Sequence, residues 1–346
     1  MTLQEIARLA NVSVATVSRT INRVATVNPL LARRVRRVIE KEGYYPNTHA
    51  RALVSGRSRI FGLMVPEITN PFFPEIVQTF AKLGVQHNYE VLLSSISQDS
   101  RLLETASRQM IERRVDGVAI LTFGGEETLI DIFSCRNVPV FVIDADYPAR
   151  FLRTVRIDYR HGIRQAVQHL AALGHVRIAF ISGPPLLKTA AMRKDAFQQC
   201  MEEIGLEVFP EMLVKGDHTM ESSMEATSAL VSLQERPTAV VCSNDLTAIG
   251  VMREAFDLSL NIPRDLSIVG FDDIRLAQFM TPPLTTVQMS QVGIATAAFR
   301  ALLDSVEPPP NENALDAPAI ETNLVLRCST GLSPDRTSPG KHQNHS

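Results

Sequence analysis

Short apolar runs alternate with helical stretches along most of this chain, from residue 60 onward. The runs are continuous, as in "IFGLMV" and "VPVFVID", so both faces of each strand must be buried. Parallel sheets that are covered by helices on both faces satisfy this pattern, and the runs fall into two sets. The sequence therefore predicts two doubly wound α/β lobes. The runs stand at 60–65, 91–95, 117–122 and 138–144, then at 177–182, 238–243 and 266–272, and helices are predicted near 74–85, 102–113, 162–173, 189–204, 221–233 and 245–256.

Polar residues follow most of the predicted strands. Ligands of open α/β sheets bind beyond the carboxyl ends of the strands, so two facing lobes would line a cleft with these side chains. Asp, Asn and Arg in such a cleft suit a hydroxyl-rich ligand. At any single position, a helix cap or a turn explains the residue equally well. The residues are Glu67, Ser94, Thr122, Asp144, Ser182, Asn244 and Asp272.

The first 60 residues differ from the rest because they are strongly basic. They contain eleven Lys and Arg residues and three acids, whereas the whole chain of 346 residues carries a formal net charge of −2. A basic segment on an acidic body indicates that this segment alone binds a polyanion.

Three short helices are predicted in the basic segment. A capping box starts the first, an Asn that tolerates the left-handed conformation makes the turn, and a Ser caps the second. An Asn-Pro pair starts the third helix and a Gly ends it. Two helices joined by a tight turn and followed by a third form the helix-turn-helix arrangement. The cap and turn residues are Thr2 with Glu5, Asn11, Ser13, Asn28 with Pro29, and Gly43.

The second helix would present small side chains and one arginine on a single face. Val14, Ala15 and Ser18 are small enough to enter a major groove, where Arg19 can form a bidentate contact with guanine. Neighbouring arginines would hold phosphates. The alternative, a helical bundle that only caps a larger domain, leaves the basic charge unexplained.

Residues 46–57, "PNTHARALVSGR", can form about two helical turns after Asn47. A helix this short is marginal alone in water, so a partner helix or DNA would have to order it. Leu53 would be its one large exposed apolar residue and a candidate wedge between base steps in a minor groove. An ordinary interdomain linker has the same composition.

Signals for enzymatic chemistry, metal binding and membrane insertion are weak. The chain has no GxGxxG, GxxxxGK[ST], HExxH or GxSxG motif, and its four cysteines have no zinc or disulfide spacing. No apolar run has the form of a signal peptide or a membrane span. We therefore predict a cytoplasmic protein that has no cofactor and is not an enzyme. We also predict reduced core cysteines, a disordered tail at 331–346, and surface or cap positions for His49, His87, His161, His169 and His175.

Several motifs in combination resemble the LacI/GalR family of bacterial transcription regulators, from residue 2 to about residue 330. They stand in the family's order: "VSVATVSRTIN", "GYYPNTHARAL", "NPFFPEIV", "RRVDGVAIL", "LGHVRIAFISGP", "PTAVVCSNDLTAIGVM", "IPRDLSIVGFDDI" and "TPPLTTVQ".

The resemblance implies a homodimeric regulator, usually a repressor, on a pseudo-palindromic operator in double-stranded DNA. It implies that a small, sugar-like effector between two lobes of the periplasmic-binding-protein type controls operator affinity. The implied DNA-binding residues are Ser13, Val14, Ala15, Thr16, Ser18, Arg19, Asn22, Thr26, Asn47, His49, Ala50 and Leu53. The implied effector-binding residues are Phe72, Phe73, Asp144, Arg193, His218, Asn244 and Asp272.

Four positions depart from the family's pattern: Asn11 and Ala196 each replace a usual Gly, Ser223 replaces a common Gly, and His218 stands where an aromatic residue often covers the ligand. They leave the effector's identity open. No C-terminal Leu heptads are present, so a coiled-coil tetramer is not expected. The resemblance divides the chain into a head at 1–45, a hinge at 46–58 and a core at 59–330. The lobes of the core are 59–157 plus 289–318, and 158–288 plus 319–330.

Other functions fit parts of the sequence. A regulator driven by a protein corepressor, such as a phosphocarrier protein, is the alternative within the family. A solute-binding protein of a transport system would share the core, but the basic head and the missing signal peptide argue against it. An enzyme has support only from the general ability of α/β clefts to host catalysis.

Overall fold

The computed structural model describes residues 1–21, 26–44, 57–96, 100–121, 126–307 and 319–334. The chain divides into two units, Met1–Arg59 and Ile60–Ser346. The first is a helical head and the second a larger α/β core, each held by its own internal contacts.

Three helices form the head, and their ends are those that the sequence predicts. They are α1 (Leu3–Ala10), α2 (Val14–Ile21) and α3 (Pro29–Glu42). Asn11 makes the turn with a φ of 48°, in the left-handed region, and the Thr16 amide donates to Ser13 Oγ at 3.1 Å to start α2. Ile6, Val17 and Val35 are fully buried between the three helices. The predicted helix-turn-helix head is confirmed.

Five parallel strands form the first sheet of the core, in the order β2-β1-β3-β4-β5. Leu63 of β1 stands between Leu93 of β2 and Ala119 of β3, and all four residues of the central strand, β3, are buried. Full burial on both faces explains why these strands read as continuous apolar runs. The strands are β1 (Ile60–Val65), β2 (Glu90–Ser95), β3 (Gly117–Ile120), β4 (Val140–Ile143) and β5 (Leu152–Val155), and the helices between them are α4 (Phe73–His87), α5 (Ser100–Glu112) and α6 (Glu126–Ser134).

Seven strands form the second sheet, in the order β6-β12-β11-β10-β9-β7-β8. Neighbouring strands are parallel except for β11 and β12, which are antiparallel. The strands are β6 (Ile157–Asp158), β7 (Ile178–Ile181), β8 (Leu213–Val214), β9 (Ala239–Cys242), β10 (Ser267–Asp272), β11 (Thr285–Met289) and β12 (Ile320–Val325). The helices are α7 (Tyr159–Ala172), α8 (Lys188–Glu203), α9 (Met220–Val231) and α10 (Asp245–Asp257), followed by α11 (Gln291–Val306).

Each sheet is the centre of one lobe. Only Arg156 separates β5 of the first sheet from β6 of the second, and α11 leaves β11 of the second sheet to pack on α4 and on strands of the first. Phe299 of α11 lies edge-on to Phe61 and Phe80, with ring centroids 5.4 and 5.2 Å away. The first lobe therefore takes a helix from late in the chain, and the predicted two-lobed α/β core is confirmed.

The end of the described chain corrects two predictions. The backbone of Gly331 and Ser333 is hydrogen-bonded to the second lobe, and Ser333 is fully buried, so the ordered chain extends past the predicted start of the tail. His175 is buried rather than superficial. Its ring lies between Thr238 Oγ1 at 2.9 Å and the Gly331 carbonyl at 3.0 Å. His175 thus supplies a hydrogen-bond partner to a backbone carbonyl that has little access to water.

The cysteines also differ from expectation. Cys200 and Cys242 are buried, as predicted, but Cys135 and Cys328 are exposed. Cys135 follows the last residue of α6, where its thiol lies 3.2 Å from the Ile132 carbonyl. This position at the end of a helix is exposed to solvent, so Cys135 is not a core residue.

Candidate functional site

The exposed face of α2 carries the predicted base-reading residues. Val14, Ala15 and Arg19 are exposed, whereas Ser18 is half-buried. Val17, on the opposite face, is fully buried in the core of the head, which fixes the orientation of α2. A helix with this thin outer face and one guanidinium has the form that a major groove accepts.

Cap residues of α2 account for part of the predicted DNA-binding set. Ser13 Oγ accepts the Thr16 amide and lies 2.9 Å from Thr16 Oγ1, so both hydroxyls already have a role in the helix. Thr26 is exposed beyond α2. Asn22, Asn47, His49, Ala50 and Leu53 lie outside the described residues, as does Thr122 of the core.

Basic side chains line the outer surface of α3. Four arginines are exposed there, while Ala32 and Val35 on the other side are buried. Their spacing places several cations within reach of a nucleic-acid backbone, which such side chains position without reading sequence. The arginines are Arg33, Arg34, Arg36 and Arg37.

All seven predicted effector residues line one cavity of about 210 Å³ in the core. They arrive from six places in the chain, mostly just beyond the carboxyl ends of strands or at the first turns of the helices that follow. The sequence separates them by up to two hundred residues, and the two sheets bring them together. They are Phe72, Phe73, Asp144, Arg193, His218, Asn244 and Asp272.

Arg193 is the central cation of the cavity. Its guanidinium stacks over Phe271 at 4.1 Å and lies 5.4 Å from the ring centre of Tyr159. Nη1 donates to the Ser243 carbonyl at 2.6 Å, and Nη2 is 3.4 Å from Asp272 Oδ1. Stacking and one strong hydrogen bond fix the plane of the guanidinium before any ligand arrives.

Asp272 is the anionic partner of Arg193, and the pair is incompletely satisfied. Burial raises the pKa of Asp272 to about 7, although Arg193 opposes that rise. Asp272 Oδ1 and Arg193 Nε are both buried and have no hydrogen-bond partner. Because buried polar atoms nearly always have partners, two orphan atoms of opposite character in one cavity point to a bound group that both donates and accepts.

His218 forms one wall of the cavity as a neutral imidazole. Its Nε2 is 2.9 Å from Ser243 Oγ, and burial, followed by the charge of Arg193, lowers its pKa to about 3. The ring lies against Gly183, where any β-carbon would fall 1.9 Å from Nε2. A glycine after β7 is therefore required for this histidine to occupy its place.

Asp144 closes the cavity between the two lobes. Its carboxylate accepts the Ile157 amide at 2.9 Å and the Tyr159 hydroxyl at 3.0 Å, and burial raises its pKa. Asp144, His218 and Asp272 all have positive φ angles, of 51°, 69° and 111°. Non-glycine residues in this region cost free energy and gather at functional sites, which agrees with their place here.

Asn244, Phe72 and Phe73 have structural roles beside the cavity. Asn244 Oδ1 accepts the Thr247 amide at 2.8 Å and so caps α10, as the alternative interpretation of such residues predicts. Phe72 and Phe73 meet edge to face, with ring centroids 5.3 Å apart, at the start of α4. They supply an apolar wall opposite the charged pair.

Sequence reasoning missed Tyr159, Lys188 and Asp245. Tyr159 and Lys188 line the cavity, and Asp245 lies beneath it, fully buried, where it accepts the Ile274 amide and the Thr286 hydroxyl. Burial raises the pKa of Asp245 as well. Asp245 could have been predicted because it directly follows the predicted Asn244 in "SND". Lys188 follows two leucines and has no such local signal.

The described ranges contain neither a metal-binding cluster nor a membrane-spanning helix. No three or more His, Cys, Asp or Glu side chains in those ranges are placed to hold a metal ion. Among the helices described, none combines the length and the apolarity that a bilayer crossing needs.

A helix-turn-helix head together with a two-lobed core whose cavity is lined by charged, polar and aromatic side chains defines a DNA-binding protein with a ligand-binding core. The family model for bacterial regulatory proteins of the lacI family matches residues 2–47, and that for a periplasmic binding protein-like domain matches residues 167–330. The transcriptional repressor CytR of Escherichia coli K12 is 32% identical over 96% of this chain and 97% of its own length. The chain belongs to the lacI family of bacterial regulatory proteins, and relatives such as CytR are transcription regulators and not enzymes.

Solved structures agree on the fold. The lac repressor dimer bound to operator and the anti-inducer ONPF has a TM-score of 0.83 at 24% identity, over 96% of this chain and 99% of that chain, and this likeness concerns the fold alone. The complex of the transcriptional regulator CelR with cellobiose has a TM-score of 0.70 at 27% identity, over 95% of this chain and 99% of that chain.

Proposed function

We propose that this protein is a homodimeric transcriptional repressor that binds a pseudo-palindromic operator. A small, sugar-like effector in the core cavity controls its affinity for that operator. Family membership supports regulation at DNA, and the cavity supports control by a small molecule. Because the operator lies on the chromosome, the expected compartment is the cytoplasm.

The observation that carries the effector half of this proposal is the pair of orphan atoms on Arg193 and Asp272. A hydroxyl group can accept from Nε and donate to Oδ1, whereas a fully deprotonated anion cannot donate, an ammonium ion cannot accept, and an apolar group can do neither. The CelR–cellobiose complex supports a carbohydrate as the first candidate.

The DNA half rests on the face of α2 and the arginines of α3. In this proposal Val14, Ala15 and Arg19 read base edges, and the arginines of α3 hold phosphates. Leu53 is proposed as a minor-groove wedge from its sequence context. Ser13, Thr16, Ser18, Asn22, Thr26, Asn47, His49 and Ala50 complete the proposed interface.

Control by a protein corepressor is the second candidate function, and it derives from the family resemblance. The well-formed polar cavity favours a small effector over it. Thermal-shift measurements with small ligands, run beside pull-down of a phosphocarrier protein, separate the two candidates.

The decisive experiment is selection of bound DNA from a random pool, with and without candidate sugars. Enrichment of a pseudo-palindrome that one sugar shifts, together with loss of the shift in Arg193→Ala, is the expected result. Selection without any enriched motif would refute the proposed DNA function. An enriched motif that no small molecule affects, with a phosphocarrier protein captured, would favour the corepressor.

A further inference from the structure

Lys188 bridges the two lobes at the rim of the cavity. It is the first residue of α8 in the second lobe, and its ammonium donates to the Asp144 carbonyl at 2.9 Å, beyond β4 of the first lobe. The same ammonium pairs with Asp146. Arg156 Nη2 holds the other oxygen of Asp146 at 2.5 Å, between β5 and β6.

Asp146 is thus a carboxylate clamped by two cations. The hydrogen bond from Lys188, and then that from Arg156, lowers the pKa of Asp146. Lys188 and Asp146 are each about half-exposed, at 52% and 55% of their side-chain surface, so a ligand that enters the cavity meets them at its rim.

Acidic side chains outnumber basic ones around the cavity. Among the described residues that line it, five carboxylates face two cations, Lys188 and Arg193. Both cations are already engaged, since Arg193 faces Asp272 and the Ser243 carbonyl while Lys188 holds Asp146 and the Asp144 carbonyl. The carboxylates are those of Glu126, Glu127, Asp144, Asp146 and Asp272.

We propose that Asp146 makes this cavity selective against anions by occupying Lys188, so that the effector is an uncharged hydroxyl-rich molecule and not its phosphate ester or carboxylate. The proposal deepens the proposed function and rests on it. Two of the three N–H donors of Lys188 already serve Asp146 and the Asp144 carbonyl, so a phosphate group at Lys188 would have to share the ammonium with the Asp146 carboxylate, which repels it. It would also come near the remaining carboxylates, which repel it.

The matching variant is Asp146→Asn, which keeps the size and the acceptor oxygen of the side chain but removes its charge. The full-length protein is titrated calorimetrically with inorganic phosphate, with glucose 6-phosphate and with glucose. We expect the variant to bind the two phosphate-bearing probes about fivefold more tightly than the wild type, because it removes one half-exposed negative charge beside Lys188. Because glucose carries no charge, its affinity should gain less than the affinity of either phosphate-bearing probe.

Glu203→Gln is the control. Glu203 also pairs with two cations, Arg160 and Arg164, and lies on the same helix as Lys188 but outside the cavity lining. The proposal is overturned if the wild type binds either phosphate-bearing probe as tightly as Asp146→Asn does, or if Glu203→Gln produces the same gain. Operator binding by the wild type is measured separately and reports on the proposed function. A wild type that selects against anions but binds no operator would refute the proposed function and leave the anion selectivity standing.

Discussion

At the scale of single residues, the cavity contains buried polar groups whose hydrogen bonds the folded protein does not complete. Arg193 is buried with an Nε that has no hydrogen-bond partner, and Asp272 is buried with a positive φ and an Oδ1 whose one polar contact is the 3.4 Å ion pair with Arg193 Nη2. Each costs stability in the free protein. A hydroxyl-rich ligand that supplies the missing hydrogen bonds recovers that cost, which is how the site can bind a neutral molecule firmly.

Asp272→Asn tests this cost through pH. The pKa of Asp272 is about 7 in the folded protein against an ordinary value of 3.8, so the folded state binds the proton more tightly. Its contribution to stability is therefore fully present below pH 3.8 and is lost as pH rises through 7. We expect the free energy of unfolding of Asp272→Asn, relative to wild type, to rise between pH 4 and pH 8 by on the order of 1–4 kcal/mol, measured by urea denaturation. A difference that stays flat across that range would contradict the raised pKa.

Arg19→Ala tests the reading face of α2. Loss of a bidentate contact should cost about 1–3 kcal/mol on the operator and relax base preference at one position in each half-site. The matched variant is Arg33→Ala, an exposed arginine of α3 that should weaken binding to all sequences alike and make the salt dependence shallower. Binding titrations on operator and on scrambled DNA, at several salt concentrations, distinguish them. Equal loss of discrimination in both variants would refute the assignment.

At the scale of helices and strands, close crossings depend on small residues at defined positions. The helices α9 and α10 meet where Gly250 faces Ser223, and a β-carbon on Gly250 would lie 2.0 Å from Ser223 Oγ and 2.4 Å from the Met220 carbonyl. Ser223 stands where the family commonly has Gly, so the larger side chain here makes Gly250 the residue that must stay small.

Gly250→Ala should therefore destabilise the core by about 1–3 kcal/mol, because overpacking against backbone outweighs the roughly 1 kcal/mol that alanine gains in a helix. Gly293→Ala, in the first turn of α11, is the control. Its nearest neighbours are Oγ and Cβ of the cap residue Ser290, at 3.1 and 3.2 Å, so a β-carbon there requires a shift of only a few tenths of an ångström. Thermal unfolding of both variants measures the difference, and a Gly250→Ala protein as stable as Gly293→Ala would show that the helices can separate at low cost.

The extent to which these elements could be predicted follows from the physics of each. The helix ends of the head were predictable because caps act locally, through Asn11, Ser13 and Gly43. The buried strands were predictable because burial on both faces demands continuous apolar runs. The two-residue strands β6 and β8 leave no periodic signal, and antiparallel β12 is only partly buried. Helix α6 was not predicted, although its buried residues Leu129, Ile130 and Phe133 have helical spacing.

The candidate site was predictable from the family resemblance and much less so from spacing. Its polar residues follow strands, but each of them could equally be a cap, and Asn244 does cap α10. The bridge from Lys188 to Asp146 joins residues of different lobes that are 42 positions apart in the sequence, so only the three-dimensional arrangement reveals it.

At the scale of the whole molecule, the proposed function requires that the cavity and the head influence one another, and we expect this coupling to pass through residues 47–55, which lie outside the described residues. A segment that is too short to be stable as a lone helix takes its order from outside. On an operator, two copies could pack together and place both Leu53 side chains in the minor groove. An effector that changes the separation of the two chains would then shift an order–disorder equilibrium.

Amide hydrogen exchange across residues 47–55 tests this coupling in the free protein, the operator complex, and the complex with effector. We expect protection only with operator bound, less with an inducer and more with a corepressor, and a coupling of about 1–3 kcal/mol that changes operator affinity roughly 5–150-fold. Leu53→Ala should weaken specific binding and reduce operator bending, while effector affinity of the free protein stays nearly unchanged, because the cavity lies in the core. Strong protection of 47–55 in the free protein would mean that the helix forms without DNA, and the effector would then have to act on the head by another route.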